Sequence, residues 1–337
     1  MTLSIDHRAP VGTSPGSPIP LLRSSSIPHA EREVQRGTLV RVRRGVLASA
    51  ALWAALPPWD RYTARVHAVT MTHPDAVLCL ESAAVMLGLP VVGEPRDVHV
   101  LDGPGGTARL TGGIRLHTTA GDRAIIDLGG VLVTSVLETT VDLARSRHPA
   151  VGLATTDAAL RAQPWLSIEA LVVRNESRRA SRGRRHARWS LHRGDPLAET
   201  ALESLSRAAI EWLGFEEPEL QRVFRSGGST DRTDMWWPDQ RVIGEADGDL
   251  KYNGTLQDPP GAIRRENARD ARLREHASAI AHWGWADVAR IAPLRAALHH
   301  AGLQPIRPES SPELHSLSSL MRGSRAPGPE NAPERPD

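Results

Sequence analysis

The sequence predicts an α/β (α+β) protein of several domains, and three observations predict it. Its 337 residues exceed one ordinary domain. Hydrophobic residues make up 40% of the chain, enough for real cores. Stretches with helical spacing alternate with short β-rich runs, divided by Gly- and Pro-rich breaks.

Residues 1–28 are rich in Pro, Ser and Gly without periodicity, which predicts a disordered tail. Residues 29–95 predict a winged-helix-like and helical region. It opens with a short helix and then Thr38-Leu39-Val40-Arg41-Val42-Arg43-Arg44-Gly45-Val46-Leu47, a strand, a turn and a second strand. The exposed Arg41, Arg43 and Arg44 would suit DNA phosphates; an ordinary solvated hairpin fits the same residues. A partial winged helix is expected, because the residues upstream leave little room for a complete three-helix unit. Helices follow over Asp60–His73, stopped by Pro74, and over Glu81–Pro90.

Residues 96–173 predict a mixed α/β middle domain. Strands are expected at 97–101, 114–117 and 130–133, then helices at Ser135–Arg145 and Val151–Arg161. Asp142 and Asp157 lie in mixed helical patterns and are expected to be structural. Residues 174–195 hold eight arginines, Arg184 and Arg185 among them, and Glu176 is the only acid before Asp195. That predicts a basic linker, able to track a phosphate backbone or simply to stay solvated.

Residues 196–303 predict a last domain of order α-β-β-β-α-β-α, a mixed sheet with flanking helices. Its helix spans Leu197–Leu213, and Glu199 and Glu203 share a face one turn apart. Asp234 falls on the second strand. Glu245 and Asp247 fall on the third, two residues apart and so pointing the same way. Antiparallel pairing of those strands would bring three carboxylates together. Like charges so held repel unless a cation intervenes, and Mg²⁺ accepts a few carboxylates with water. Residues 304–337 again read as a disordered tail.

Basic and acidic residues nearly balance, 41 against 39, so total charge does not announce a nucleic-acid binder. Among the 41, Lys251 is the only lysine. In a chain that uses arginine everywhere else, a lone lysine beside Glu245, Asp247 and Asp249 suggests a site that needs a compact ammonium; a chance survivor on a turn is the plain alternative. The single cysteine, Cys79, fits a reducing cytoplasm. No signal peptide or membrane-spanning run is evident. The 14 histidines show no zinc-ligand spacing with cysteine.

In the last domain, a helix Glu, a strand Asp, then Glu245-Ala246-Asp247-Gly248-Asp249-Leu250-Lys251-Tyr252 and a helix carrying Glu266 and Arg269 resemble the PD-(D/E)XK nuclease superfamily. The nearest branch is the very-short-patch-repair-endonuclease-like proteins. The chain as a whole is similar to actinobacterial AbiEi-type antitoxin-like proteins. Arg41–Val46, Glu81–Ala84 and Asp157–Arg161 carry that likeness earlier in the chain.

The resemblance implies a restriction-endonuclease-like C-terminal domain and a Mg²⁺-dependent endonuclease that hydrolyses DNA. Asp234, Glu245 and Asp247 would be the metal ligands, and Glu203 would orient a water or the metal. Glu266 and Arg269 would support the site. Asp247 stands where the superfamily pattern has its lysine. Either Lys251 serves from four residues on, or the fold is an inactive scaffold in a DNA-binding, antitoxin-like regulator with a cognate toxin or another protein as partner.

Overall fold

The computed structural model describes residues 3–5, 14–103, 106–119, 121–226, 228–247 and 268–323. Helices and mixed sheets form two compact units. The first holds the described residues up to Ser146 with Leu166–Arg188, and the second holds Arg147–Trp165 and Trp189–Gly323. Among the described residues no helix is long and apolar enough to cross a membrane.

In the first unit, Leu39–Arg43 and Val46–Ser49 form the expected antiparallel hairpin. Gly45, at φ +86°, makes the turn beside Arg44. The helix Ala30–Gln35 precedes it, and Ala50–Ala55 and Pro58–Thr72 follow. The expected tail over 1–28 is corrected in part. Leu22–Arg23 pairs with Val46–Leu47, and Ile19 is buried against Ala48 and Ala64. Its apolar residues cover one side of the hairpin, which composition alone does not reveal.

The unit's second sheet has seven strands, in the order Leu3–Ile5, Arg123–Asp127, Leu132–Thr134, Val77–Leu78, Val98–Leu101, Ile114–His117 and Arg109–Thr111. Arg109–Thr111 and Arg123–Asp127 are strands that the sequence pattern does not separate from turns.

The basic linker is a correction. Ile168–Ser177 and Arg184–His192 are helices. Arg174 and Arg178 reach into the unit, where buried Glu138 accepts from them at 2.5 and 2.6 Å. Asp142 accepts from Arg123 and Arg178. Arginines whose carboxylate partners lie some forty residues earlier look unpaired in a linear reading. Asp142 is structural, as expected, and its flanking guanidinium groups hold its carboxyl below the usual range against the opposing effect of burial.

The second unit overturns the expected boundary at 173. The helix Pro149–Ala162 packs against Ala201–Trp212. Fully buried Asp157 accepts from Arg207 at 3.0 Å, from Ser204 at 2.7 Å and from the Asp195 amide at 2.8 Å. A buried carboxylate with those partners ties the two helices into one core. The expected tail over 304–337 is corrected where it is described: Ser311–Gly323 is a helix that buries Leu314, Leu317 and Met321 at helical spacing.

The second unit's sheet has the expected order. Glu219–Ser226, Ser229–Trp237 and Val242–Ala246 are antiparallel neighbours, and Ala279–Trp283 lies parallel to Val242–Ala246. A parallel pair needs a crossover, and the helix over 268–273 lies on it.

Candidate functional site

Strand register assembles the site. Met235 faces Gly244 and Trp236 faces Ile243, so one step further Asp234 lies against Glu245 on one face of the sheet. The Ala246 amide donates to Asp234 Oδ2 at 2.8 Å, which fixes that carboxylate at the strand's end. On the other side Glu245 pairs with His282 in the parallel ladder. Asp247, just past the strand, receives a hydrogen bond from His282 Nδ1 at 2.8 Å. Asp234, Glu245, Asp247 and His282 therefore occupy one end of one face.

The same face is apolar lower down, where Trp236 and Ile243 pack with Leu273 and Ala277. Leu273 anchors the helix over 268–273. Arg269 is one turn earlier on the same side of it, and this brings its Nη2 to 2.7 Å from Glu245 Oε1 and 2.6 Å from the Arg232 carbonyl. Asp270, next along the helix, stands 3.5 Å from His282 Nε2. The imidazole is thus held between Asp247 and Asp270.

On the opposite face Gly244 has no room for a side chain. A Cβ on Gly244 would stand 2.5 Å from Trp283 Cη2 and 3.0 Å from Trp237 Cζ3. Trp283 Nε1 donates to Ser206 Oγ at 2.8 Å, which seats the helix Ala201–Trp212 there.

Glu203 has a different occupation from the expected one. Thr200 Oγ1 accepts from the Glu203 amide at 3.1 Å, and Glu203 Oε2 accepts from the Glu199 amide at 2.9 Å. This Thr-x-x-Glu arrangement closes the helix N-terminus and starts the helix at Ala201 rather than Leu197. Gln221 Nε2 donates to Glu203 Oε2 at 3.0 Å, and Thr200 Oγ1 donates to Oε1 at 2.9 Å. Glu203 thus caps its helix while standing close enough to Asp234 to feel its charge.

Burial and mutual repulsion govern the electrostatics. Burial pushes Glu245 up to about 7, with Asp234 adding to the rise and Arg269 opposing it. Burial also raises Asp234 and Glu203, against the amide bonds each accepts. His282 is raised, first by its bond to Asp247, and burial opposes the rise.

Carboxylate oxygens are the donors that Mg²⁺ takes, so Asp234, Glu245 and Asp247 fit it in kind. Among the described residues, however, no three His, Cys, Asp or Glu side chains are grouped so as to hold a metal ion. Glu245 is turned to Arg269 and Asp247 to His282. Lys251 and Glu266 lie outside the described residues. His282 and Asp270 were not singled out by the sequence; the signal available was His282 on the strand beside the Glu-x-Asp strand.

The expected DNA-contacting arginines divide. Arg41 pairs with Glu31 at 2.6 Å. Arg43 is half-buried, its Nε has no hydrogen-bond partner, and burial lowers its pKa. Arg44 is exposed at the turn. Arg184 donates to the Arg178 carbonyl, whereas Arg185 is exposed. Arg188 pairs with Glu176 and Arg193 with Glu211.

No protein-family model matches the chain, and no solved structure does either. Two mycobacterial proteins do match it: the uncharacterized protein Rv2248 of Mycobacterium tuberculosis strain ATCC 25618 / H37Rv, and the uncharacterized protein MT2308 of strain CDC 1551 / Oshkosh. Each is 34% identical over 246 residues, which cover 72% of this chain and 84% of the relative. The chain belongs to the family of these two mycobacterial proteins.

Proposed function

We propose that the second unit is a Mg²⁺-dependent DNA endonuclease-like centre. The observation that carries this reading is the facing of Asp234 and Glu245 across two strands, with Asp247 next on the same face. Three carboxylates share one face, two of them pushed up by burial, and carboxylate oxygens are the ligands a divalent cation such as Mg²⁺ takes. The resemblance to the PD-(D/E)XK superfamily points the same way. Asp234, Glu245 and Asp247 would hold the ion. When bound, it supplies an activated water and neutralises charge on the phosphate.

The chain's own residues do the rest. The Ala246 amide keeps Asp234 aimed along the strand end. His282, fixed between Asp247 and Asp270, orients Asp247. Arg269 brings a permanent positive charge to the rim of the carboxylate face. The exposed Arg44 and Arg185 would meet phosphates and hold the duplex.

The second reading is a DNA-binding, antitoxin-like regulator whose nuclease fold is inactive. One observation favours it: Arg269 and His282 already occupy Glu245 and Asp247. Cleavage of plasmid and short duplex DNA with Mg²⁺ or Mn²⁺ separates the two. Wild type should cut and Asp234→Ala should not. Lys251→Arg should cut about 10²-fold more slowly if Lys251 stands in for the strand lysine. Wild type that binds DNA but cuts none would favour the regulator.

A further inference from the structure

Three titratable side chains that the second unit's centre does not use meet inside the first unit. His99 Nδ1 and His117 Nε2 stand 2.8 Å apart, and His99 Nε2 lies 3.4 Å from Glu81 Oε2. Glu81 and His99 are buried, and His117 is half-buried at the end of its strand. The His99 backbone is fixed as well: its amide donates to Ser82 Oγ at 2.7 Å, and Ser82 shares a hydrogen bond with Tyr62. Leu80, at φ +52°, holds a left-handed backbone immediately before Glu81, a conformation that persists where its surroundings enforce it.

Two ring nitrogens at 2.8 Å share one hydrogen, so one ring must accept. Glu81 compensates a positive charge on His99, which then donates through Nδ1 to a neutral His117. A second proton, on His117 Nε2, would set two N–H groups and two like charges against each other. The neighbouring charges are matched among themselves: Arg115 with Asp97, and Arg109 with Asp102. Tyr62 and Cys79, which lie near Glu81, carry no charge in acid. The strand Ile114–His117 joins the sheet to its edge strand Arg109–Thr111, which is exposed throughout. Ile114 and Leu116 pack in the apolar core, so this edge has few buried side chains to hold it.

We propose that the Glu81–His99–His117 chain is an acid-sensitive latch on the sheet edge. With one shared proton it clamps Ile114–His117 to Val98–Leu101. With a second it lets go, and Arg109–Thr111, which pairs with Ile114–His117, leaves with that strand. The released state binds one proton more, so acid favours it.

The test is amide hydrogen exchange of the full chain, followed by NMR at about pH 7.5 and about pH 5, across the range in which histidine titrates. Two amides are compared, each corrected for its intrinsic exchange rate. The Asp102 amide donates to the His117 carbonyl at 2.7 Å and reports the latch. The Cys79 amide donates to the His99 carbonyl at 3.1 Å and reports the inner strands. On acidification, wild type should lose about tenfold or more of the protection at Asp102, while Cys79 holds. His117→Gln keeps an acceptor oxygen for His99 and takes up no proton, so Asp102 should stay protected at both pH values. Glu81→Gln lacks the compensating charge and should release Asp102 at a higher pH than wild type. Unchanged protection of Asp102 in wild type overturns the proposal. So does parallel loss at Cys79, which is general unfolding, and so does a loss in His117→Gln equal to that of wild type. The two amides of wild type decide the matter by themselves if a variant does not fold.

Discussion

Arg269 Nη2 stands 2.7 Å from Glu245 Oε1, so a cationic side chain already sits on the carboxylate that register sets against Asp234. The pair joins a strand that composition marks as buried to a helix that composition marks as solvated.

Gly244 controls the strand that carries Glu245. Gly244→Ala would drive a methyl into Trp283 and Trp237. The expected cost is about 1–3 kcal/mol, with the strand displaced. Urea denaturation should show it as a lowered midpoint.

Glu203 closes its helix with Thr200. Thr200→Ala should cost about 1 kcal/mol through the lost cap. Glu203→Ala should lower the melting temperature even in the absence of metal, because the Glu199 amide and Gln221 lose their acceptor. Glu203→Gln keeps an acceptor oxygen and should fall between the two. An unchanged melting temperature for Glu203→Ala would contradict the capping role.

Asp157 and Arg207 form a buried pair. Asp157→Ala leaves Arg207 buried with its main partner gone and should cost about 3–5 kcal/mol. Burial also raises Asp157 from 3.8 to about 6. A raised carboxyl favours the protonated folded state. Its contribution is therefore fully present below pH 3.8 and is lost as pH rises through about 6. Wild type minus Asp157→Asn should show stability declining across that window, and a flat difference would contradict the raised pKa.

Arg185 is exposed, whereas Arg188 is tied to Glu176. If this segment touches duplex DNA, Arg185→Ala should reduce the salt slope of binding by about 0.9, and Arg188→Ala by clearly less. Equal slopes for both variants and wild type would remove the segment from the interface.

Local patterns were sufficient for the order of the four strands from Glu219 to Trp283, because alternation is a property of neighbouring residues, but not for the single last helix expected over 286–299, which is two helices, Trp285–Arg290 and Ala292–His300, broken at Ile291. The basic hairpin at Leu39–Ser49 was legible for the same reason, as was the convergence of Asp234 with Glu245, since alternation fixes a face once two strands pair antiparallel. The partners of charged residues were not legible. Arg174 and Arg178 looked like a free basic run until folding delivered Glu138 and Asp142 to them. The helix Pro149–Ala162 looked like part of the middle domain until Asp157 met Arg207. His282 joined the site only through a parallel neighbour, and Arg269, expected beside the site, found Glu245 as its partner only through the crossover helix. The sequence by itself determined which residues could carry chemistry and which face of each element they share, since those follow from period and residue type. The tertiary structure alone decided which charges neutralise one another, because an ion pair depends on distance in space and not along the chain.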